Sequence, residues 1–272
     1  MARRKLHERR ALVTGASSGI GRAIALELAR AGLDLVLLAR REELLRSLAD
    51  EIASLGRRAA VVVGDVTDPA SRLRTIEAAR DQLGGLDILV NNAGISAHGR
   101  FANADPARLR PIMEVNFFAP VELIRLALPL LREGRQPIIV NVGSILGRRA
   151  CPHASEYCAS KFALHGISEA LRAEFAPLGV DVLVVAAGPT DTEFFEHLLE
   201  EQGDLPWRDP QPVTPERVAR ATIRAIQRGR QSPMTGWGLM MMLTSGAWAR
   251  IRSTMRVPSM VAEVSPRFQV GA

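Results

Sequence analysis

The chain reads as an α/β protein, a doubly wound parallel sheet of about seven strands with helices on both faces. Two observations predict this fold. Short β-branched and leucine-rich runs alternate with longer segments of helical period, the pattern of a parallel sheet with crossover helices. Most of the runs are apolar throughout, as expected of strands covered on both faces.

Taken in order, the runs place strands at residues 11–13, 35–38, 60–63, 88–90, 138–142 and 180–185, with a weaker seventh at 232–235. Helical patterns fill the gaps at 20–31, 42–55, 70–83, 108–131, 156–176 and 215–228. Connections are mostly short, and no internal repeat or low-complexity linker interrupts the series.

With 272 residues and 47% hydrophobic content, the chain can bury a sizeable core as one domain spanning 1–272. It has no run of apolar residues long enough to span a bilayer, and its basic start leads straight into the first strand, without a signal-peptide core. These features predict a cytoplasmic protein. Cys151 and Cys158 lack metal-type spacing, and a disulfide is not expected in a reducing compartment. The net charge of +6 comes from arginines spread along the chain without a nucleic-acid motif, which argues against a nucleic-acid partner.

One residue pair stands out against this background. Arginine outnumbers lysine 33 to two, and the single tyrosine, Tyr157, is followed four residues later by Lys161. Where only a positive charge is wanted this chain uses Arg, so position 161 calls for a compact ammonium. On a helix the two side chains lie one turn apart on one face. A nearby cation favours the phenolate, so Lys161 is expected to lower the Tyr157 pKa toward the range of a working acid or base.

The other end of the pattern speaks for a nucleotide. Thr14-Gly15-Ala16-Ser17-Ser18-Gly19-Ile20-Gly21 follows the first strand and opens the first helix. Glycines there let the backbone turn and approach a pyrophosphate, and the helix start offers unpaired amides to it. This spacing, with Asn91-Asn92-Ala93-Gly94 after the fourth strand and Tyr157-x-x-x-Lys161, resembles the short-chain dehydrogenase/reductase family over roughly residues 9–236.

The resemblance implies a Rossmann fold and hydride transfer between a nicotinamide cofactor and a carbonyl or alcohol. It assigns catalytic roles to Asn116, Ser144, Tyr157 and Lys161, with Tyr157 as general acid/base. Cofactor contacts are expected from Gly15, Ser17, Ser18, Gly19, Ile20 and Gly21 of the first turn, from Arg40 and Arg41 after the second strand, and from Asp65 and Val66 after the third. Asn92, Ala93 and Gly94 follow, and Tyr157 and Lys161 also touch cofactor. Gly188, Pro189, Thr190 and Thr192 complete the set, although the chain reads Ala187-Gly188 where the family usually has Pro-Gly.

The second strand ends Leu38-Ala39-Arg40-Arg41, with no carboxylate to hold a ribose 2′-hydroxyl. An arginine there suits a 2′-phosphate, so NADP(H) is favoured over NAD(H), with Arg40 first and Arg41 second. Residues of about 190–212 are expected to lid the active site, with Phe194, Phe195, Leu198 and Leu199 suggesting an apolar substrate; packing on the body would give the same pattern. His98, Phe101 and His153 are further pocket candidates. The tail from about 237 to 272 carries Met240 to Met242 and Trp248 among arginines, which leaves membrane-surface contact open beside simple packing. By resemblance the protein forms a homodimer or homotetramer. A non-catalytic nucleotide sensor is the alternative class, disfavoured because a sensor needs no proton donor beside a lysine.

Overall fold

The computed structural model describes residues 3–201 and 212–228. The weak seventh strand candidate, residues 202–211 of the expected lid and the 237–272 tail all lie outside them. Six strands form one parallel sheet: β1 (Arg10–Thr14), β2 (Asp34–Ala39), β3 (Ala59–Val63), β4 (Ile88–Asn91), β5 (Ile138–Ser144) and β6 (Asp181–Ala187). Their order is β3-β2-β1-β4-β5-β6. The order reverses between β1 and β4, and a cleft at the carboxyl ends of the strands there is where such sheets bind ligands.

Successive strand residues serve opposite faces. Ala11 and Val13 of β1 join Leu35, Leu37, Ile88 and Val90 in one core, and Leu12 joins Val36, Leu38 and Leu89 in the other. The first core is covered by α1 (Gly19–Arg30), α2 (Glu42–Ser54) and α7 (Pro215–Arg228). The second is covered by α3 (Pro69–Leu83), α5 (Ala119–Arg132) and the far end of α6 (Ser155–Phe175). β2, β4 and β5 are buried at every position, and β3 at the sheet edge only in part, so the inner strands read as largely apolar runs.

The base of the sheet is tied by Asp87, which is fully buried. Its carboxylate accepts from the Arg10 backbone at 2.9 Å, from the Arg10 guanidinium at 3.0 Å and from the Arg135 backbone at 2.6 Å. Burial pushes this carboxyl up, but those donors outweigh it and hold its pKa below the usual carboxylate range.

The continuous helix expected over 108–131 is broken. A short α4 (Leu109–Met113) passes through one π turn (Glu114–Phe118) into α5. Pro120 supplies the physical reason. It has no N–H for the carbonyl of Asn116 four residues back, and its ring would collide with that carbonyl in a regular helix. The backbone widens, and the Ala119 amide bonds the Glu114 carbonyl five residues back. Asn116 is thereby set fully buried in the π turn.

Candidate active site

A cleft of about 840 Å³ opens at the carboxyl ends of the strands, and all but two of the catalytic and cofactor residues expected from the sequence line it. The two are Gly21 and Asn116, which act from behind. A Cβ on Gly21 would sit 2.3 Å from the Gly15 carbonyl and 2.4 Å from Asn92 Nδ2, so its bareness lets α1 start hard against the preceding turn.

Gly15 and Gly19 adopt positive φ, 63° and 54°, which L side chains tolerate poorly. Asn92 braces this turn from β4, donating Nδ2 to the Thr14 and Gly15 carbonyls at 3.1 Å each. Thr14, which sequence reasoning passed over, accepts the Asn92 and Ala93 amides on its hydroxyl at 3.0 and 3.1 Å. The side chain of Ser18 does not cap α1. Its hydroxyl accepts instead from Arg41, which also reaches Ser17 at 3.3 Å and Glu193 at 2.7 Å. The first amides of α1 and its positive dipole end are thus left to the cleft, a cradle for phosphate.

Arg41 is accordingly tied to the turn. Arg40 is mostly exposed and lies 3.8 Å from Asp65 at the rim. Asp65 is itself held in a turn by the Thr67 amide and hydroxyl at 2.9 and 2.8 Å.

At the opposite end, Tyr157 and Lys161 come from the first turns of α6 and Ser144 from the last residue of β5. The Lys161 ammonium lies 5.7 Å from the centre of the Tyr157 ring and donates to the Val142 carbonyl at 3.0 Å. A Cβ placed on Gly94 would lie 3.3 Å from Asn116 Oδ1, a tight contact, and 3.6 Å from Lys161 Nζ, so Gly94 sits close against both groups. Asn116 clamps Ile95 in both directions at 2.9 Å and donates to Ser160 of α6 at 2.9 Å. It thereby locks the strand-end loop to α6.

The expected lowering of the tyrosine is not what this geometry gives. Burial pushes the Tyr157 phenol up to about 12, and a hydrogen bond with Ser144 only partly offsets it. Burial also brings the Lys161 amine down to about 8. Spacing along a helix predicted the approach of the two groups but carried no account of desolvation, which here outweighs the cation.

The side beyond Tyr157 is walled by a 3-10 turn, residues Glu193–Glu196. Phe194 packs 6.0 Å from the Tyr157 ring and 5.6 Å from Phe195, and Phe195 packs 5.9 Å from His98. Thr192 approaches the nucleotide end, its Cγ2 being 3.1 Å from where a Gly19 Cβ would stand. Phe101 and His153 do not line the cleft, and Phe101 points to solvent. Cys151 does line it, with its sulfur 4.0 Å from that of Cys158; both thiols are free. The sequence also passed over Arg108, which pairs with Glu156 immediately before Tyr157. They lie 48 positions apart, and no local pattern joins them.

Comparison with known proteins agrees with this architecture. The short chain dehydrogenase family pattern matches residues 9–203. A dehydrogenase/reductase SDR family member 7B from Xenopus tropicalis is 32% identical over 234 residues, 81% of this chain and 74% of the relative. An 11-beta-hydroxysteroid dehydrogenase A from Sesamum indicum is 34% identical, covering 88% of this chain and 69% of its own. Among solved structures, a short chain dehydrogenase from Burkholderia cenocepacia in complex with NADP is 31% identical with a TM-score of 0.73, covering 82% of this chain and 92% of that one. A glycine turn braced by Asn92, a Ser144-Tyr157-Lys161 cluster over Asn116 and a family match across 9–203 place the chain in the short-chain dehydrogenase/reductase family of oxidoreductases.

Proposed function

We propose that the chain is an NADP(H)-dependent oxidoreductase that interconverts a carbonyl and an alcohol on an apolar small molecule, with Tyr157 as general acid/base. The observation that carries this reading is the convergence of Ser144, Tyr157 and Lys161 at one end of a cleft. The uncapped start of α1 and two arginines stand at its other end. A bound nicotinamide would supply or accept the hydride; the chain's own residues manage the proton.

In the reductive direction the phenol, held protonated by burial, donates to the oxygen of the forming alcohol. Ser144 directs its hydroxyl at the same oxygen. The Lys161 ammonium, fixed on the Val142 carbonyl, stabilises the phenolate left behind. Both forms needed, phenol and ammonium, prevail at neutral pH. In the oxidative direction it is the phenolate of Tyr157, stabilised by the same ammonium, that takes the proton from the alcohol.

Cofactor choice rests on Arg40 and Arg41, with Arg40 exposed enough to meet a 2′-phosphate. The glycines at 15 and 19 leave room for the pyrophosphate, so the residues present fit a dinucleotide. The NADP complex of the Burkholderia protein supports the same choice. The wall of Phe194 and Phe195 supports an apolar substrate, as does the relative named for a hydroxysteroid. We propose further that exposed Phe118 of the π turn, Leu126 of α5 and Phe162 of α6 are covered by a second copy; light scattering that finds a monomer at micromolar concentration would refute it.

The deciding experiment follows NADPH oxidation with 4-nitrobenzaldehyde and a panel of apolar ketones. Tyr157→Phe should lower kcat by a factor on the order of 10³ while leaving NADPH affinity within about threefold. Undiminished turnover would remove Tyr157 from the chemistry. Arg40→Asp should weaken NADPH binding far more than NADH binding, and an equal effect on both would free Arg40 of the 2′-phosphate.

A further inference from the structure

Arg108 lies outside the cleft lining and takes no part in the proton transfer derived above. It is nevertheless buried, 3% of its side chain being exposed, and it grips two carboxylates. Its Nε and one terminal nitrogen fork onto the two oxygens of Glu156 at 2.9 and 3.0 Å. Its other terminal nitrogen reaches Glu200 at 3.1 Å. Glu156 also accepts from the Ser155 hydroxyl at 2.8 Å, and Glu200 accepts from the Asp105 amide at 3.3 Å. Burial raises the Glu156 carboxyl, but the donors from Arg108 and Ser155 outweigh it and hold it ionised.

The three anchoring points belong to separate parts of the site. Glu156 immediately precedes Tyr157. Arg108 itself ends the loop leading to the π turn that carries Asn116. Glu200 lies on the strip that follows the Phe194 and Phe195 wall. That strip runs beside 96–98, with the His98 amide donating to the Glu200 carbonyl at 2.8 Å and the Leu199 amide to the Ser96 carbonyl at 2.9 Å. A closed circuit of contacts results: Tyr157 to Phe194, Phe195 and His98 through the rings, His98 to Glu200 through the backbone, and Glu200 through Arg108 to Glu156.

We propose that Arg108 is a positioning residue: it fixes the aromatic substrate wall to the turn of α6 that presents Tyr157. Desolvating a guanidinium and two carboxylates is costly, and packed apolar residues would hold the same elements together at least as well. What the planar fork adds is direction, since it meets a carboxylate in one plane and at two points. Breaking the Glu200 arm therefore releases the wall while leaving the Arg108–Glu156 arm, and with it the Tyr157 backbone, in place.

This inference rests on the proposed reaction, so its test has one arm that needs no turnover. Glu200→Gln and Glu200→Ala are suited to it, because Glu200 is at the edge of the cluster and Arg108→Ala would strand Glu156. With 4-nitrobenzaldehyde, Glu200→Ala should raise the KM of the aldehyde about tenfold, with kcat and the KM of NADPH within about twofold of wild type. Glu200→Gln, which keeps an acceptor for Arg108, should recover part of that loss. In hydrogen exchange, the His98 and Leu199 amides should exchange faster in Glu200→Ala while β1 and β4 amides keep wild-type protection. Unchanged aldehyde KM together with unchanged exchange at His98 and Leu199 would overturn the proposal. So would parallel losses in kcat, both KM values and β1 protection, the mark of a merely structural role. If wild type reduces no carbonyl, or Tyr157→Phe stays active, the proposed reaction fails by itself, and the exchange arm decides whether the clamp exists.

Discussion

Replacing Lys161 by methionine should abolish carbonyl reduction and, at the same time, make the protein more stable. Lys161 is 4% exposed, its nitrogen donates to the Val142 carbonyl, and burial brings its amine from 10.5 down to about 8. At pH 7 that drop corresponds to about 3 kcal/mol lost by keeping a buried ammonium charged. Methionine fills similar volume without the charge, and leaving the Val142 carbonyl without its donor returns about 1 kcal/mol of that gain. The net expectation is about 2 kcal/mol of added stability, or about 4–8 °C in Tm for a chain of this size. Because the lysine binds its proton less tightly when folded, wild-type stability from this group rises as pH climbs from about 8 to 10.5. The gap between wild type and variant should therefore close across that window. Urea unfolding of both proteins at pH 7 and pH 10 measures it. A Lys161→Met protein that is less stable at pH 7, or a gap that is as wide at pH 10, would refute the reasoning.

Three other outcomes follow from the geometry. Tyr157 is the single tyrosine, so its ionisation can be read directly by ultraviolet absorbance; the folded protein should show no tyrosinate below about pH 11, Ser144→Ala should push the transition higher still, and a midpoint at or below 10 would contradict the burial account. Gly21→Ala should cost about 1–3 kcal/mol and weaken NADPH binding in a fluorescence titration, because the new Cβ meets the Gly15 carbonyl at 2.3 Å; near wild-type values for both would show that the turn yields freely. Asp87→Asn should cost about 3 kcal/mol at pH 7. The Asp87 carboxyl is held low when folded, so its contribution is complete above about pH 4 and fades as pH falls through its folded value; acid unfolding of the variant should be correspondingly shallower, and identical acid limbs would remove Asp87 from that role.

The strands were legible in the sequence because full burial leaves them apolar, and each of the six observed falls on a run read beforehand. The site was legible where its members lie close in sequence or at family spacing, as with Gly15 to Gly19 and Tyr157 to Lys161. Three things were not. The break at 114–118 hides inside an apolar helical pattern, because the hydrophobic period says nothing of which carbonyl a proline obstructs. The direction of the Tyr157 shift depends on desolvation, which emerges only once α6, β5 and the aromatic wall are packed. The Arg108 clamp joins positions 108, 156 and 200, whose partnership exists in space alone.

The π turn also bears on how this chain can vary. Pro120 and Asn116 together make a local fault in an otherwise strong helix, and the fault has a register: one residue more than a regular helix would use, spent within five positions. Losing one residue there would turn Leu123, Ile124, Ala127 and Leu131 away from the sheet by about 100°. Substituting Pro120 alone would instead let the helix close and draw the Asn116 amide off Ile95. Length and composition of this short stretch are thus bound to each other, so drift in either has to be answered by the other within the same few codons.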